Sequence, residues 1–271
     1  MSREPVPRSA NRYAAIIEAI FQKHRLEGVC DFEFTRAEFE GVAADLKIVL
    51  PKNLGDVIYA MRYRSGLPAS IMATAGEGLE WIIEGAGAGK YRFRQVRLSR
   101  VSPRADLVTI KIPDATPEMI SAHTLGDEQA LLARVRYNRL IDIFLGITTH
   151  SLQNHLRTTV AGVGQIEIDE VYVGVDRYGR QFVVPVQAKG GSDKHGVVQT
   201  QQDIACCEAK FPSLICRPVS AQFMADKRIA MFELTLQDGD VKVVAERHYQ
   251  LVPAHAITAL ELQGYAHRSG D

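Results

Sequence analysis

The stretch 164–191, GQIEIDEVYVGVDRYGRQFVVPVQAKGG, restricts the folding of this chain more than any other. Two runs rich in β-branched residues flank a turn at 176–179, so the segment reads as a hairpin of two strands. Successive side chains of a strand point to opposite faces, which puts Gln187 and Lys189 on one face and Val186 and Ala188 on the other. By the same period Glu167 and Asp169 share a face, with Ile166 and Ile168 opposite. If the strands pair antiparallel across the turn, the acidic face and the lysine-bearing face can coincide.

A lysine ending the apolar run VVPVQAK is expensive to bury without an anionic partner. One arrangement that satisfies it is a salt bridge between Lys189 and Asp169 at a strand end. The other is a hydrolytic centre. There a carboxylate and an amide carbonyl hold a hard divalent ion against a phosphodiester, while the ammonium orients the attacking water and helps to deprotonate it. Beyond the hairpin, GGSDKHGVVQTQQDI brings Lys194 and His195 to the start of a helix expected at about 197–210, opened by Gln199, Gln201 and Gln202. A polar helix start of this kind either binds phosphate or bases, or is simply solvated.

Upstream, Ile16, Ile17, Ile20 and Phe21 lie at helical spacing, VCDFEF is extended, and Thr35 with Glu38 forms a capping-box signature for a helix over 36–46. A third helical run, NLGDVIYAMRYR, stops at Gly66 and Pro68, and EGLEWIIEG and KYRFRQVRL read as a hairpin joined by a flexible GAGAG tip. Three helices followed by a hairpin is the order of a winged helix, so residues 1–100 are expected to form a winged-helix-like DNA-binding domain. Its third helix would lie in the major groove and its wing on the backbone. The candidate DNA contacts are Lys52, Asn53, Arg62, Arg64, Lys90, Arg92 and Arg94, joined downstream by Lys194 and His195. Residues 101–127 look like a connector holding one strand, DLVTIKI. From Glu128 the pattern is helical through Leu145 and again around 151–160. Strands follow at LICRPVSAQ, IAMFELTLQ and VKVVAERHYQLV.

Charge supports this division: residues 1–104 carry 16 Lys and Arg against 12 Asp and Glu, the remainder 16 against 20, and 85–104 hold six basic residues and no acid. Such a basic stripe attracts phosphate. The four cysteines form no CxxC pair, which argues against a zinc ribbon or a disulfide framework. No apolar run approaches the roughly 20 residues of a membrane span. The N-terminus lacks a secretory pattern, so a cytoplasmic protein is expected. No HxxxH, HNH or GxxxxGK[ST] arrangement occurs, which disfavours histidine-dependent nuclease chemistry, a catalytic zinc site and an ATPase.

The hairpin resembles the PD-(D/E)xK nuclease superfamily, in which an acid on one strand is followed by (D/E)xK on the next. The resemblance covers about a third of the chain, since helix, hairpin, helix and strand over 128–223 match the order of the superfamily core. It implies that Asp169 is the metal-binding acid, that Gln187 takes the place of the second acid and that Lys189 is the motif lysine. Gln187 leaves one fewer negative charge on the metal, so a further acid is expected: Glu167, Glu170, or Asp142 on the upstream helix. The expected fold is α+β or α/β, with a restriction-endonuclease-like mixed sheet flanked by helices over 128–271. Mg²⁺ is the implied cofactor, with Mn²⁺ able to substitute. A DNA-reading module on such a core resembles type II restriction endonucleases, which implies sequence-specific cleavage of double-stranded DNA by a homodimer. The alternatives are a repair or structure-specific nuclease, and a winged-helix regulator whose nuclease-like domain is inactive.

Overall fold

Ile16, Ile17, Ile20 and Phe21 are wholly buried on α1 (Arg8–His24), the first element of the computed structural model. The structure describes residues 8–97, 100–123, 128–190, 195–224 and 226–267. After α1 come β1 (Asp31–Thr35), α2 (Glu38–Asp45) and α3 (Gly55–Tyr59), which runs on as a π-helical turn over Ala60–Arg64. A short α4 (Ala69–Met72) leads to β2 (Glu80–Gly85) and β3 (Lys90–Val96). Helix α2 starts later than the sequence suggests, yet the Thr35–Glu38 pairing forms: the Thr35 N–H donates to the Glu38 carboxylate at 2.7 Å.

The three strands make an antiparallel sheet in the order β1, β3, β2. Phe21 packs edge-on against Trp81 and Phe93, with ring centroids 5.1 Å away in each case. Burying each such ring contributes about 1.5–3 kcal/mol, so this aromatic centre fixes the helices on the sheet.

The rest of the chain forms β4 (Arg100–Val101), β5 (Thr109–Pro113), α5 (Glu118–His123), α6 (Glu128–Tyr137) and α7 (Leu140–Leu145). Next come β6 (Thr148–Val160), β7 (Gly164–Val175), β8 (Gln181–Lys189), β9 (His195–Gly196) and α8 (Val197–Lys210). The chain closes with β10 (Ile215–Cys216), β11 (Val219–Phe223), β12 (Ile229–Gln237), β13 (Asp240–Val252) and α9 (Ala259–Ala266). One large mixed sheet runs β5-β13-β12-β11-β8-β7-β6, with β10 also beside β8. β6, β7 and β8 form an antiparallel meander, and β11 lies parallel to β8. The overall class is α+β, a large mixed sheet flanked by helices.

Alternation along β8 separates the two faces. Val184, Val186 and Ala188 pack with Leu131, Leu132 and Val135 of α6, whereas Val183 packs with Cys206 and Cys207 of α8. Ile82 and Val96 of the N-terminal sheet share a cluster with Val197, Val198 and Phe232, so the N-terminal module is seated on the α8 side by apolar contact. Arg94 adds an ion pair to Asp240 at 3.4 Å.

Two expectations of secondary structure fail and one holds. Residues 151–160 belong to a strand, because β6 pairs along β7 from Thr148 to Val160; Leu152, Leu156 and Val160, four apart, imitate a helical face. The strand expected at DLVTIKI forms as β5, which lies parallel to β13 in the main sheet and is followed by α5. The run 214–222 breaks between β10 and β11 at Arg217 and Pro218, opposite Pro185 of β8, which has no N–H to offer a neighbour.

Candidate active site

The β7–β8 ladder pairs Glu170 with Val186, and just beyond it the Ala188 N–H donates to Oδ2 of Asp169 at 2.8 Å. Asp169, Gln187 and Lys189 are thereby brought to one cleft of about 760 Å³, together with Glu167. The plain Lys189–Asp169 salt bridge is not formed; among the described residues the carboxylate within 4 Å of the Lys189 ammonium is Glu128, at the start of α6, 3.7 Å away. Gln187 is almost wholly buried, and its Nε2 donates to the Glu167 carbonyl and to Oδ1 of Asp203, both at 3.1 Å. Those two acceptors fix the amide plane and turn Oε1 away from them.

Asp203, from the second turn of α8, is an acid that the sequence reading passed over. It is 2% exposed, and burial raises its pKa well above the ordinary carboxylate value, with nearby Asp169 adding to the rise. The hydrogen bond from Gln187 and the Lys189 charge oppose this. Asp169 is also raised, chiefly by burial, against the Ala188 N–H and the Lys189 charge. The available signal was local: in VVQTQQDIACC, Asp203 stands three residues after Thr200 and three and four before Cys206 and Cys207, so helical spacing puts it on the buried face.

Of the other acids proposed, Glu167 lines the cleft but is exposed and paired with Arg157 at 2.9 Å. Glu170 is fully buried on the α6 side, where Oε1 accepts from Arg136 Nε at 2.8 Å and Ser151 Oγ at 2.6 Å. It therefore does not join Asp169; the strand period turns adjacent residues to opposite faces. Asp142 accepts the Thr149 N–H at 2.8 Å and is paired with Arg139, which holds it at the start of β6.

The expected DNA contacts divide in the same way. Asn53, Arg62 and Lys90 line the cleft, joined by Arg36 and Tyr59. Asn53 is engaged with Gly55 N–H and Asp56, and Arg62 donates through Nε to the Ile83 carbonyl at 2.8 Å. Lys52 is exposed outside the cleft lining, the Arg64 side chain and Lys194 lie outside the described residues, and the basic face of β3 is neutralised. Arg92 meets Glu33 at 2.9 Å and Glu84 at 3.8 Å, while Arg94 meets Glu84 at 3.3 Å. The cause is β3's central place in its sheet, which sets its arginines against acids on both neighbouring strands. His195 is 1% exposed, bonded through Nε2 to Thr200 at 2.6 Å, and burial depresses its pKa to about 3. It is an interior residue rather than a DNA contact.

Among the described residues no three His, Cys, Asp or Glu side chains are grouped to hold a metal ion. A Mg²⁺ ion binds through one or two carboxylates and keeps water and substrate phosphate as its other ligands. Asp169 and the Gln187 amide oxygen are hard donors of that kind, and the raised pKa of Asp169 marks a carboxylate that a cation would favour in its charged form. No protein-family model, curated protein or solved structure matches the chain. Among the described residues no helix is long and apolar enough to cross a membrane.

Proposed function

We propose that this protein is a Mg²⁺-dependent endonuclease that hydrolyses phosphodiester bonds of DNA, built as a PD-(D/E)xK core behind a winged-helix-like module. The observation that carries the reading is the presence of Asp169, Gln187 and Lys189 in one cleft, on adjacent strands of a helix–hairpin–helix–strand unit. The N-terminal order of helices and strands, with β3 between β1 and β2, agrees with a winged helix. Asp169 and Gln187 would hold the ion, with Mn²⁺ able to substitute. When bound, the ion polarises the phosphoryl oxygen and offsets its negative charge. Lys189, anchored near Glu128, presents its ammonium to the attacking water and the phosphate. Asp203 fixes the Gln187 amide from beneath, so that its oxygen rather than its nitrogen is available as a ligand.

The duplex-cutting, restriction-type form of this activity requires two such centres, hence a homodimer acting on double-stranded DNA in the cytoplasm. A structure-specific nuclease is a second reading, favoured by the contact of the two module tips over the cleft described below. Incubation of the protein with plasmid and branched DNA in Mg²⁺ separates the two: discrete fragments from the former, cleavage at junctions from the latter. A gel shift without cleavage would indicate a regulator. Lys189→Ala is expected to abolish cutting and leave binding in Mg²⁺ nearly intact, and cleavage that survives it would overturn the assignment of the centre.

A further inference from the structure

The cleft is bridged. β6 and β7 pair from Thr148 to Val160, but β7 pairs with β8 only from Glu170 onward, so the 154–169 portion projects from the main sheet as a two-stranded ribbon. Its tip reaches the N-terminal module: a Cβ added to Gly85, at the end of β2, would stand 2.8 Å from the Val163 carbonyl oxygen. That separation admits glycine alone without displacement of the backbone. The GAGAG segment is therefore a point of close approach as well as a turn. The Arg36 N–H donates to Gly89 at 2.8 Å, tying the same turn to the end of β1. The apolar cluster of Ile82 and Val96 with Val197, Val198 and Phe232 fixes the module behind it.

Asp169, Gln187 and Lys189 line the same cleft as these two tips, which has a volume of about 760 Å³. The contact of Gly85 with Val163, both in the cleft lining, leaves no gap between the two tips through which a duplex could pass. The lining has the composition that single strands require, cationic groups along the backbone path and an aromatic face for a base. Arg36 and Lys90 are exposed with no carboxylate within 4 Å among the described residues, Arg157 on the ribbon is paired with Glu167, and Tyr59 is half exposed.

We infer that the DNA strand reaching Asp169, Gln187 and Lys189 is unpaired, passing beneath the Gly85–Val163 bridge with a base against Tyr59. The inference rests on the nuclease reading and narrows its substrate to single-stranded, frayed or bubble-containing DNA.

The test is fluorescence anisotropy of the full chain, without added metal, using a labelled single strand, the matching intact duplex and a duplex with a central unpaired bubble. The single strand and the bubble are expected to bind at least about tenfold more tightly than the intact duplex, the scale set by one or two stacked bases. Tyr59→Ala should weaken the single strand and spare the duplex. Gly85→Val, which forces the tips apart, should reduce the preference, and Gly85→Ser provides a smaller displacement should the valine variant fold poorly. Equal binding of intact duplex and single strand by the unaltered protein would overturn the inference, as would an unchanged preference in folded Gly85 variants. Adding Mg²⁺ separates this from the parent reading: preferential strand binding with no cleavage would sink the hydrolase and leave the strand path standing.

Discussion

Replacing Gln187 by glutamate restores the acid that the resemblance to PD-(D/E)xK nucleases calls for, yet the structure predicts that it destabilises the metal-free protein. The Gln187 Nε2 donates to the Glu167 carbonyl and to Asp203, each at 3.1 Å, in a nearly solvent-free position. A carboxylate can donate to neither. Two hydrogen bonds at about 1 kcal/mol each are lost, and at least one buried acceptor left without a donor adds about 1–3 kcal/mol, for a total of roughly 3–5 kcal/mol. The new charge also stands beside Asp169 and Asp203, both already pushed up by burial, so the loss deepens as pH rises. At roughly 2–4 °C per kcal/mol for a chain of this size, Gln187→Glu should melt roughly 6–20 °C below the unaltered protein in EDTA. Mg²⁺ should then stabilise the variant more than the parent; at a concentration about 100 times its Kd a ligand adds about 2.7 kcal/mol. Scanning calorimetry with EDTA and with Mg²⁺ measures both. A variant that melts with the parent in EDTA would refute the amide clamp, and one indifferent to Mg²⁺ would refute the metal assignment.

Asp203→Asn keeps an acceptor for Gln187 and removes the ionisable group. Because the folded-state pKa of Asp203 is raised, folding retains a proton that the unfolded chain releases, so stability is lost as pH climbs above about 4 toward the folded value. The variant should therefore gain on the parent between pH 4 and pH 8 in urea titrations, and parallel pH profiles would contradict the raised value. Lys90→Ala and Arg36→Ala should each lower the salt slope of single-strand binding by roughly 0.7. Arg92→Ala, already paired with Glu33, should leave the slope unchanged and cost no more than about 1 kcal/mol of stability. A slope that falls with Arg92→Ala instead would return β3 to the DNA-contacting surface.

What the sequence made legible was whatever a short period encodes. The β7–β8 hairpin and α8 sit where alternation and helical spacing put them, and Asp169, Gln187 and Lys189 share a cleft because one turn joins the two strands that carry them. The misreadings came where the deciding partner is distant along the chain. Arg92 and Arg94 resemble a free basic stripe until Glu33, Glu84 and Asp240 are brought across the sheet and from β13. Asp203 resembles a solvated helix residue until β8 is laid beneath it. β6 imitates a helix because leucines four apart fit either period in so short a run, and only pairing with β7 decides.

Charge around the cleft floor leads to the last prediction. Glu167 is offset by Arg157 at 2.9 Å and Glu128 by Lys189 at 3.7 Å, while burial favours the protonated form of Asp203. Among the described residues, Asp169, like Asp56 elsewhere in the cleft lining, has no cation within 4 Å, and its carboxylate accepts the Ala188 N–H. A phosphate brought beside it in a low-dielectric cleft meets repulsion unless a cation arrives with it. Asp169→Asn should therefore bind a single strand more tightly than the parent in EDTA, by about tenfold if roughly 1.4 kcal/mol of repulsion is relieved, and should lose the gain in affinity that Mg²⁺ gives the parent. Anisotropy titrations in EDTA and in Mg²⁺ measure the two effects. If Asp169→Asn weakens binding in EDTA, the carboxylate is not facing the strand, and the floor of the cleft is not where the phosphate lies.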